Sequence, residues 1–372
     1  MPLGISFYIF LSISYITDVY QSKLLDIGSY GEALLALGFF PIILAGPIQR
    51  PIGLLPQIRE RRLFNYNSAT DGLRQILWGM FMKIVIADKC AIILNPVFDN
   101  PADYSGSTLI LALFLFSVQI YTDFAGYSNI AIGICKLLGF SIMQNFSFPY
   151  FSRDIKEFWK KWNISLTMWF RDYVFLPVAY AVSRRLKSDR IFHIKTEFVI
   201  YTIGIAITWT LTGLWHGANV TFILWGLIHG IFLILNHILS KPRKMLLKEL
   251  SIRSGNTMLA VADNLLLLCI VMLTWIFFRS ESVAKAMIFL AGIFTASLFS
   301  LPVFSGMGNA LITMVFIVLF FLLEWHGREG EYGISRLGTS WPKTYRWSLY
   351  LTLVYSIFLF AGQEQQFIYF QF

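Results

Sequence analysis

The chain has 372 residues, of which 56% are hydrophobic, 17% aromatic and 14% charged. A soluble domain carries about 25% charged residues, so this composition excludes an ordinary soluble protein and predicts an integral membrane protein with spans of about 20 apolar residues each. The net charge of +9 gathers in loops, which fits topology signals better than a nucleic-acid surface, and the apolar stretches lack the strict alternation of an outer-membrane barrel.

The first apolar segment, Leu3 to Tyr20, has no basic region ahead of it and no small-residue cleavage site, so it reads as a membrane segment rather than a secretory signal. A second, Glu32 to Ile48, stops at Gly46, Pro47 and Pro51, with Arg50 at the membrane exit. The loop bearing Arg59, Arg61 and Arg62 is expected on the cytoplasmic side. A third segment, Asp71 to Phe98, is interrupted by Lys83, Asp88 and Lys89; Lys83 is expected to snorkel, and Asp88 and Lys89 to sit at an interface. Ser105 to Phe140 exceeds one span, and two helices with a break near Gly126 are expected. Asp123 within it needs a hydrogen bond, a proton or an ionic partner. Tyr121 and Tyr127 are local candidates, and the residues alone leave Asp123 open between structural and functional roles.

Asn145 to Tyr180 differs in kind. Phe158, Trp162, Leu166, Trp169 and Tyr173 fall on one helical face, with Arg153, Lys156, Lys160 and Lys161 off it. This pattern predicts a basic amphipathic helix lying in the interface. Asn163 flanks the stripe with Trp159 and Phe170 and needs a buried partner. Arg171 and Asp172 are read either as an ion pair at the helix end or as holders of an anionic ligand. A basic loop follows, Arg184 to Lys195, with His193 solvated.

Thr196 to Leu214 is a further segment, leading into GLWHGAN at Gly213 to Asn219. Asn219 to Leu239 carries His229 and, near the exit, His237. An ionisable group at membrane depth is costly and marks a functional candidate. His216 is that group here, with Gly213 and Gly217 leaving room for close approach and Trp215 as a stiff wall. The residues leave it open between a reactive base and a hydrogen-bonded packing histidine. On a continuous helix, at about 100° per residue, His229 would lie far round from His216. The closing segments are Thr257 to Phe278, Val283 to Phe299, Asn309 to Leu323 and Trp347 to Ala361, with Glu324 and His326 at a solvated edge. Cys90, Cys135 and Cys269 fall in no metal-ligand spacing and read as small buried hydrophobes. The whole predicts an all-α polytopic membrane protein of about ten or eleven hydrophobic segments, some of them interfacial or re-entrant, in one domain spanning 1–372.

Taken together, these stretches resemble the membrane-bound O-acyltransferases. The likeness is greatest to the bacterial branch that includes alginate O-acetyltransferases and the D-alanyl transfer proteins of teichoic acid modification. It is carried by PLGISFY at Pro2 to Tyr8, YTDFAGYSNIAIG at Tyr121 to Gly133, the run from Gln144 to Val178, GLWHGAN, and FIYFQF at Phe367 to Phe372. WNISLT and LWHGA are specific as a pair.

The resemblance implies helices around a central cavity, with a catalytic core within 145–239. It implies acyl transfer in which neutral His216 takes a proton from an acceptor hydroxyl, while Asn163 orients the acceptor or stabilises the oxyanion. Trp162, Trp215, Asp123, Tyr127, Arg171, Asp172 and His229 become candidates for supporting or substrate-pathway positions. No metal and no tightly bound cofactor are expected. Acetyl-CoA or another cytoplasmic acyl thioester is the donor substrate. The implied acceptor is a cell-surface or exported polysaccharide, reached directly or through an extracytoplasmic acyltransferase partner. The implied location is the bacterial inner membrane, among lipids and away from nucleic acid.

Three alternatives stand beside this: D-alanyl or other acyl transfer from a carrier protein to a cell-wall polymer, a non-enzymatic transporter using Asp123 and His216, and a haem site using His216 with His229 or His237. Two departures from the branch are visible. Alginate-type members more often have His where Asn163 stands, whereas Asn resembles the wider superfamily. About three membrane segments usually precede the PLGISFY stretch, so a late start or a shortened member is expected.

Overall fold

A computed structural model describes residues 4–251, 256–304, 307–362 and 365–368; Pro2, Leu3, Arg253 and positions 369–372 of the FIYFQF stretch lie outside the described residues. A backbone within lipid must satisfy its own polar groups, and the apolar segments do so as helices. In chain order these are α1 (Ile5–Tyr20), α2 (Tyr30–Leu37), α3 (Pro51–Arg59), α4 (Tyr66–Met80), a π-helical turn (Phe81–Ala87), α5 (Asp88–Asp99) and α6 (Gly106–Leu137). Next come α7 (Ile155–Lys161), α8 (Ile164–Phe170), a second π turn (Arg171–Phe175), α9 (Leu176–Arg185) and a minimal hairpin, β1 (Arg190–Ile191) with β2 (Ile194–Lys195). The remainder are α10 (Thr196–His216), α11 (Val220–Glu249), α12 (Thr257–Arg279), α13 (Val283–Ile293), α14 (Met307–Gly327) and α15 (Lys343–Phe360). Among the described residues, α6, α10, α11, α12 and α14 are long and apolar enough to cross a membrane.

The axis of the fold is α6. Its most apolar stretch is 83% buried inside protein, against 28% for α10 and 33% for α11, so α6 is sheathed while the others keep a face for lipid. Helix α4 runs antiparallel against it through two pairs of glycines. A Cβ on Gly79 would lie 2.5 Å from the carbonyl oxygen of Gly126, and one on Gly72 would lie 2.7 Å from that of Gly133. Small residues of this kind let helix backbones meet in membranes. The expected break near Gly126 is therefore absent: α6 is one 32-residue helix, and its glycine serves contact rather than a bend.

Four further expectations are corrected. Helix α2 starts on a capping box between Ser29 and Glu32 but is only eight residues long, because Gly38 and Pro41 follow. The 145–180 stretch is not one interfacial helix. It breaks at Trp162–Asn163, where Asn163 takes φ 41°, a left-handed conformation that Asn tolerates better than most residues. Asn145 fixes the break. Its carbonyl accepts from the Ile164 N–H (2.9 Å), and its side-chain oxygen accepts from Ser165 Oγ (2.8 Å). The aromatic stripe faces protein rather than lipid: Phe158, Trp162, Leu166 and Trp169 are all buried. Glu324 is not at a solvated edge but buried, accepting a 2.6 Å hydrogen bond from Tyr121. Cys269 is exposed on the outside of α12, whereas Cys90 and Cys135 are buried.

Lys83 does not snorkel, and Asp88 is not interfacial. Lys83 Nζ lies 2.9 Å from Asp88 and 2.8 Å from Asp123. The tyrosines considered as partners for Asp123 are occupied elsewhere, Tyr121 on Glu324 and Tyr127 on the Ala45 N–H at 3.2 Å. Outside the spanning helices, Arg59 pairs with Asp26 and Glu32, and its hydrogen bond holds the Asp26 carboxyl below its usual range.

Candidate functional site

The site begins with the α10–α11 hairpin. Helix α10 ends at His216, Gly217 stops it, and Asn219 starts α11 by accepting from the Thr221 N–H at 3.1 Å. The two helices touch backbone to backbone. A Cβ on Gly213 would lie 2.4 Å from the Phe222 carbonyl oxygen, and one on Gly226 would lie 2.3 Å from that of Trp209. His216 is thus held at the tip of a tight hairpin. Its ring centroid lies 5.1 Å from Trp225 and 4.9 Å from Phe278.

The turn overturns the expectation that His229 lies far round from His216. Because the chain reverses at 217–219, His229 packs on the same indole, 4.9 Å from Trp225. Its two ring nitrogens are both engaged. Trp159 Nε1–H donates to Nδ1 at 3.3 Å, and Thr274 Oγ1 lies 3.0 Å from Nε2 while donating to the Val271 carbonyl at 2.7 Å. An indole N–H can only donate, so Nδ1 is the acceptor and Nε2 carries the proton. The imidazole is neutral, with its one basic lone pair already used. His229 therefore holds Trp159 in place and is not a second base. His229→Ala strands the Trp159 N–H, and a loss of about 1–3 kcal/mol in stability is expected, measured as a lower unfolding midpoint in detergent. The pH profile of any reaction run by His216 should not move.

Asn163 stands just before α8 at the break, with no side-chain bond to the helix, and is 2% exposed. Among the described residues its side-chain oxygen has no hydrogen-bond partner, and neither do Thr208 Oγ1 and Trp225 Nε1. The buried partner expected for Asn163 is not supplied by the fold. Orphaned polar atoms are rare in native interiors and call for an explanation; here all three residues line one cavity.

That cavity has a volume of about 580 Å³. His216, Asn163, Trp162, Trp275 and Phe278 line it together with Trp225. Farther along α11 it is walled by Leu233 from that helix and by Ile205 and Trp209 from α10. Asn236, His237, Ser240 and Lys244 of α11 also line it, as do Lys156 and Lys160 of α7 and Arg171. Trp225 and Lys244, nineteen positions apart, lie about 28 Å apart along a helix axis, close to the roughly 30 Å of a bilayer's hydrocarbon core. One end is an aromatic chamber holding an imidazole and a carboxamide. The other is a basic mouth. Such a chamber can take a proton from a hydroxyl and orient a carbonyl. The mouth can attract anionic groups.

The remaining candidates distribute around this cavity. Trp162 is a wall, stacked on Phe158 at 5.4 Å. Trp215 supports His216 from the α1 side, 5.8 Å from Phe7 and 5.4 Å from Phe10. Arg171 lies at the cavity and pairs with Asp172 at 2.8 Å; Asp172 also takes Arg50 at 3.1 Å, so its charge is met twice. Asp123 and Tyr127 are not among the cavity-lining residues. Sequence reasoning missed Thr208, Trp225, Trp275 and Lys244. The basic run after Lys241 was the one signal for Lys244, while the others are ordinary residues of apolar helices. Among the described residues no three His, Cys, Asp or Glu side chains are grouped to hold a metal ion.

Residues 37–278 match the model of the MBOAT, membrane-bound O-acyltransferase family. Similar proteins include the probable alginate O-acetylase AlgI of Pseudomonas syringae pv. tomato, 33% identical over 77% of this chain and 50% of that protein. The peptidoglycan O-acetyltransferase of Helicobacter pylori is 26% identical over the whole chain and 75% of its own length. The teichoic acid D-alanyltransferase of Bacillus subtilis is 28% identical over 72% of the chain and 66% of its own length. The chain spans about half the length of the first of these relatives.

Proposed function

The chain belongs to the membrane-bound O-acyltransferase family, and we propose that it moves an acetyl group from a cytoplasmic thioester, acetyl-CoA or a carrier of similar chemistry, toward a cell-surface or exported polysaccharide. One observation carries this reading: His216 and Asn163 line one aromatic-walled cavity whose lining also includes Lys156, Lys160, Arg171 and Lys244. Lys156, Lys160 and Lys244 suit the phosphates of a thioester carrier, and the apolar walls between suit its uncharged arm.

In the chamber His216 takes the proton of an acceptor hydroxyl as that oxygen attacks the thioester carbonyl. The tetrahedral oxyanion collapses, the carbon–sulfur bond breaks, and the leaving thiolate takes the proton back from the imidazolium. Asn163 has an amide N–H group to offer the oxyanion. An extracytoplasmic acyltransferase partner completes delivery, and the bacterial inner membrane is the location this route requires.

The similarity to a teichoic acid D-alanyltransferase raises a second acyl group. A D-alanyl ester carries an ammonium, which needs a counter-charge in a closed chamber. Among the described cavity-lining residues the one carboxylate is Asp154. It caps α7, accepting from the Glu157 N–H at 2.9 Å, and stands two residues before Lys156. This favours an uncharged acyl group. A transporter using Asp123 loses its support, since Asp123 is ion-paired away from the cavity.

The test is expression in cells lacking their own related enzyme, together with a cognate extracytoplasmic transferase, with isotopic acetate and D-alanine supplied in parallel. Acetate label in the polysaccharide is the expected result. D-alanine label alone, or no label at normal membrane abundance, overturns the reading.

A further inference from the structure

Two stretches singled out in the sequence take no part in the chemistry above, YTDFAGYSNIAIG and the start of FIYFQF. They meet, 245 residues apart. Asp123 Oδ2 accepts from the Ile368 N–H at 2.8 Å, and the Phe367 ring lies 6.1 Å from Phe124 and 5.3 Å from Tyr127. Lys83, already bridging Asp88 and Asp123, also donates to the Gln365 carbonyl at 3.1 Å. The Gln365 N–H bonds to Asp88.

Segment 365–368 is not part of a regular helix ladder, so its buried N–H and C=O groups need outside partners. The ionic cluster supplies the right kinds: one ammonium for a carbonyl and two carboxylates for two N–H groups, all charge-assisted. The local backbone makes the cluster possible. Residues five apart on an α-helix point about 140° away from each other. The π turn over Phe81–Ala87, with its i→i+5 bonding, turns Lys83 and Asp88 to one side. Ions at membrane depth are costly unless paired, and their best-attested use is to fix one geometry.

What that geometry fixes is a wall. Phe124 lines the reaction cavity and is the ring on which Phe367 packs. We propose that Lys83, Asp88 and Asp123 are positioning residues, a clasp within the membrane that seats segment 365–368 behind Phe124 and so holds that wall of the cavity. The clasp itself stands apart from the catalytic assignment; its effect on turnover rests on the acyl-transfer reading.

The experiment uses the full chain with Cys269→Ser and Ile368→Cys, probed with a membrane-permeant maleimide. Ile368 is 1% exposed, so labelling should be slow. In the charge-free variant Lys83→Met, Asp88→Asn, Asp123→Asn no ion is left orphaned. There labelling at 368 is expected to rise by about tenfold or more through local opening, while fully buried Cys90 stays unlabelled, reporting an intact bundle. Lys83→Arg should restore protection. In the same charge-free variant without Ile368→Cys, kcat is expected to fall by about tenfold with the donor KM little changed, because the basic mouth is untouched. Unchanged labelling in the charge-free variant overturns the clasp. Increased labelling with unchanged kcat overturns its role at the wall. If the unmodified protein transfers no acyl group, the acyl-transfer reading fails while the labelling still decides the clasp.

Discussion

His216→Ala is expected to lower acetyl transfer by about 10²–10⁴-fold, the usual range for loss of a general base, at unchanged membrane abundance. The expectation rests on position. Two histidines pack against Trp225, and only one of them, His216, lines the cavity, while His229 is locked as a neutral tautomer by Trp159 and Thr274. Truncation also opens a hole between Trp225 and Phe278, so His216→Gln is the companion variant, because it fills much of the space and cannot serve as the base. Both variants should be inactive in a polysaccharide acetyl assay. Activity of His216→Gln within about tenfold of the parent would remove the base assignment, since a general base is worth more than that factor.

Gly79→Val is expected to destabilise the protein by more than about 3 kcal/mol, above the usual overpacking cost. Its first side-chain carbon would lie 2.5 Å from the Gly126 carbonyl oxygen and 2.8 Å from Ile130. The nearer obstacle is backbone, so no rotamer change relieves it, and α4 must move off α6 along its length. The matched control is Gly53→Ala on α3, where a Cβ meets nothing within 4 Å. Unfolding midpoints and membrane abundance should separate the two. A folded Gly79→Val protein with an unchanged midpoint would mean that the α4–α6 contact is slack.

What the sequence made legible follows from which signals are local. Apolar length placed α10, α12 and α15 within a few residues, because a span is set by its own composition. The separation of Thr196–Leu214 from Asn219–Leu239 was read from the sequence, but the reversal at Gly217–Asn219 was not. Its consequence, His229 returning to the side of His216, needed the backbone contact of Gly213 with Gly226 and so was misread as one continuous helix. Gly126 was misread for a related reason: a glycine in an apolar run signals either a bend or a close neighbour, and the neighbour, Gly79, lies on another helix. The aromatic stripe from Phe158 to Tyr173 had true helical spacing, yet α7 and α8 break at Asn163 because Asn145 and Ser165 stitch the loop from outside it. Asp123 as a partner of Lys83 and Tyr121 as the partner of Glu324 could not be read, since they lie dozens or hundreds of positions away.

The cavity lies between unlike neighbours. One wall, Ile120 and Phe124, belongs to α6, which is wrapped in protein. Another, carrying His216, belongs to the α10–α11 hairpin, which keeps a large face for lipid. A change in bilayer thickness is met by tilting of lipid-facing helices, and α6 has little face on which to feel it. Thinner or thicker bilayers are therefore expected to shift His216 relative to a fixed inner wall and, on the acyl-transfer proposal, to change the rate. Reconstitution in phosphatidylcholines of graded acyl length should show a turnover optimum.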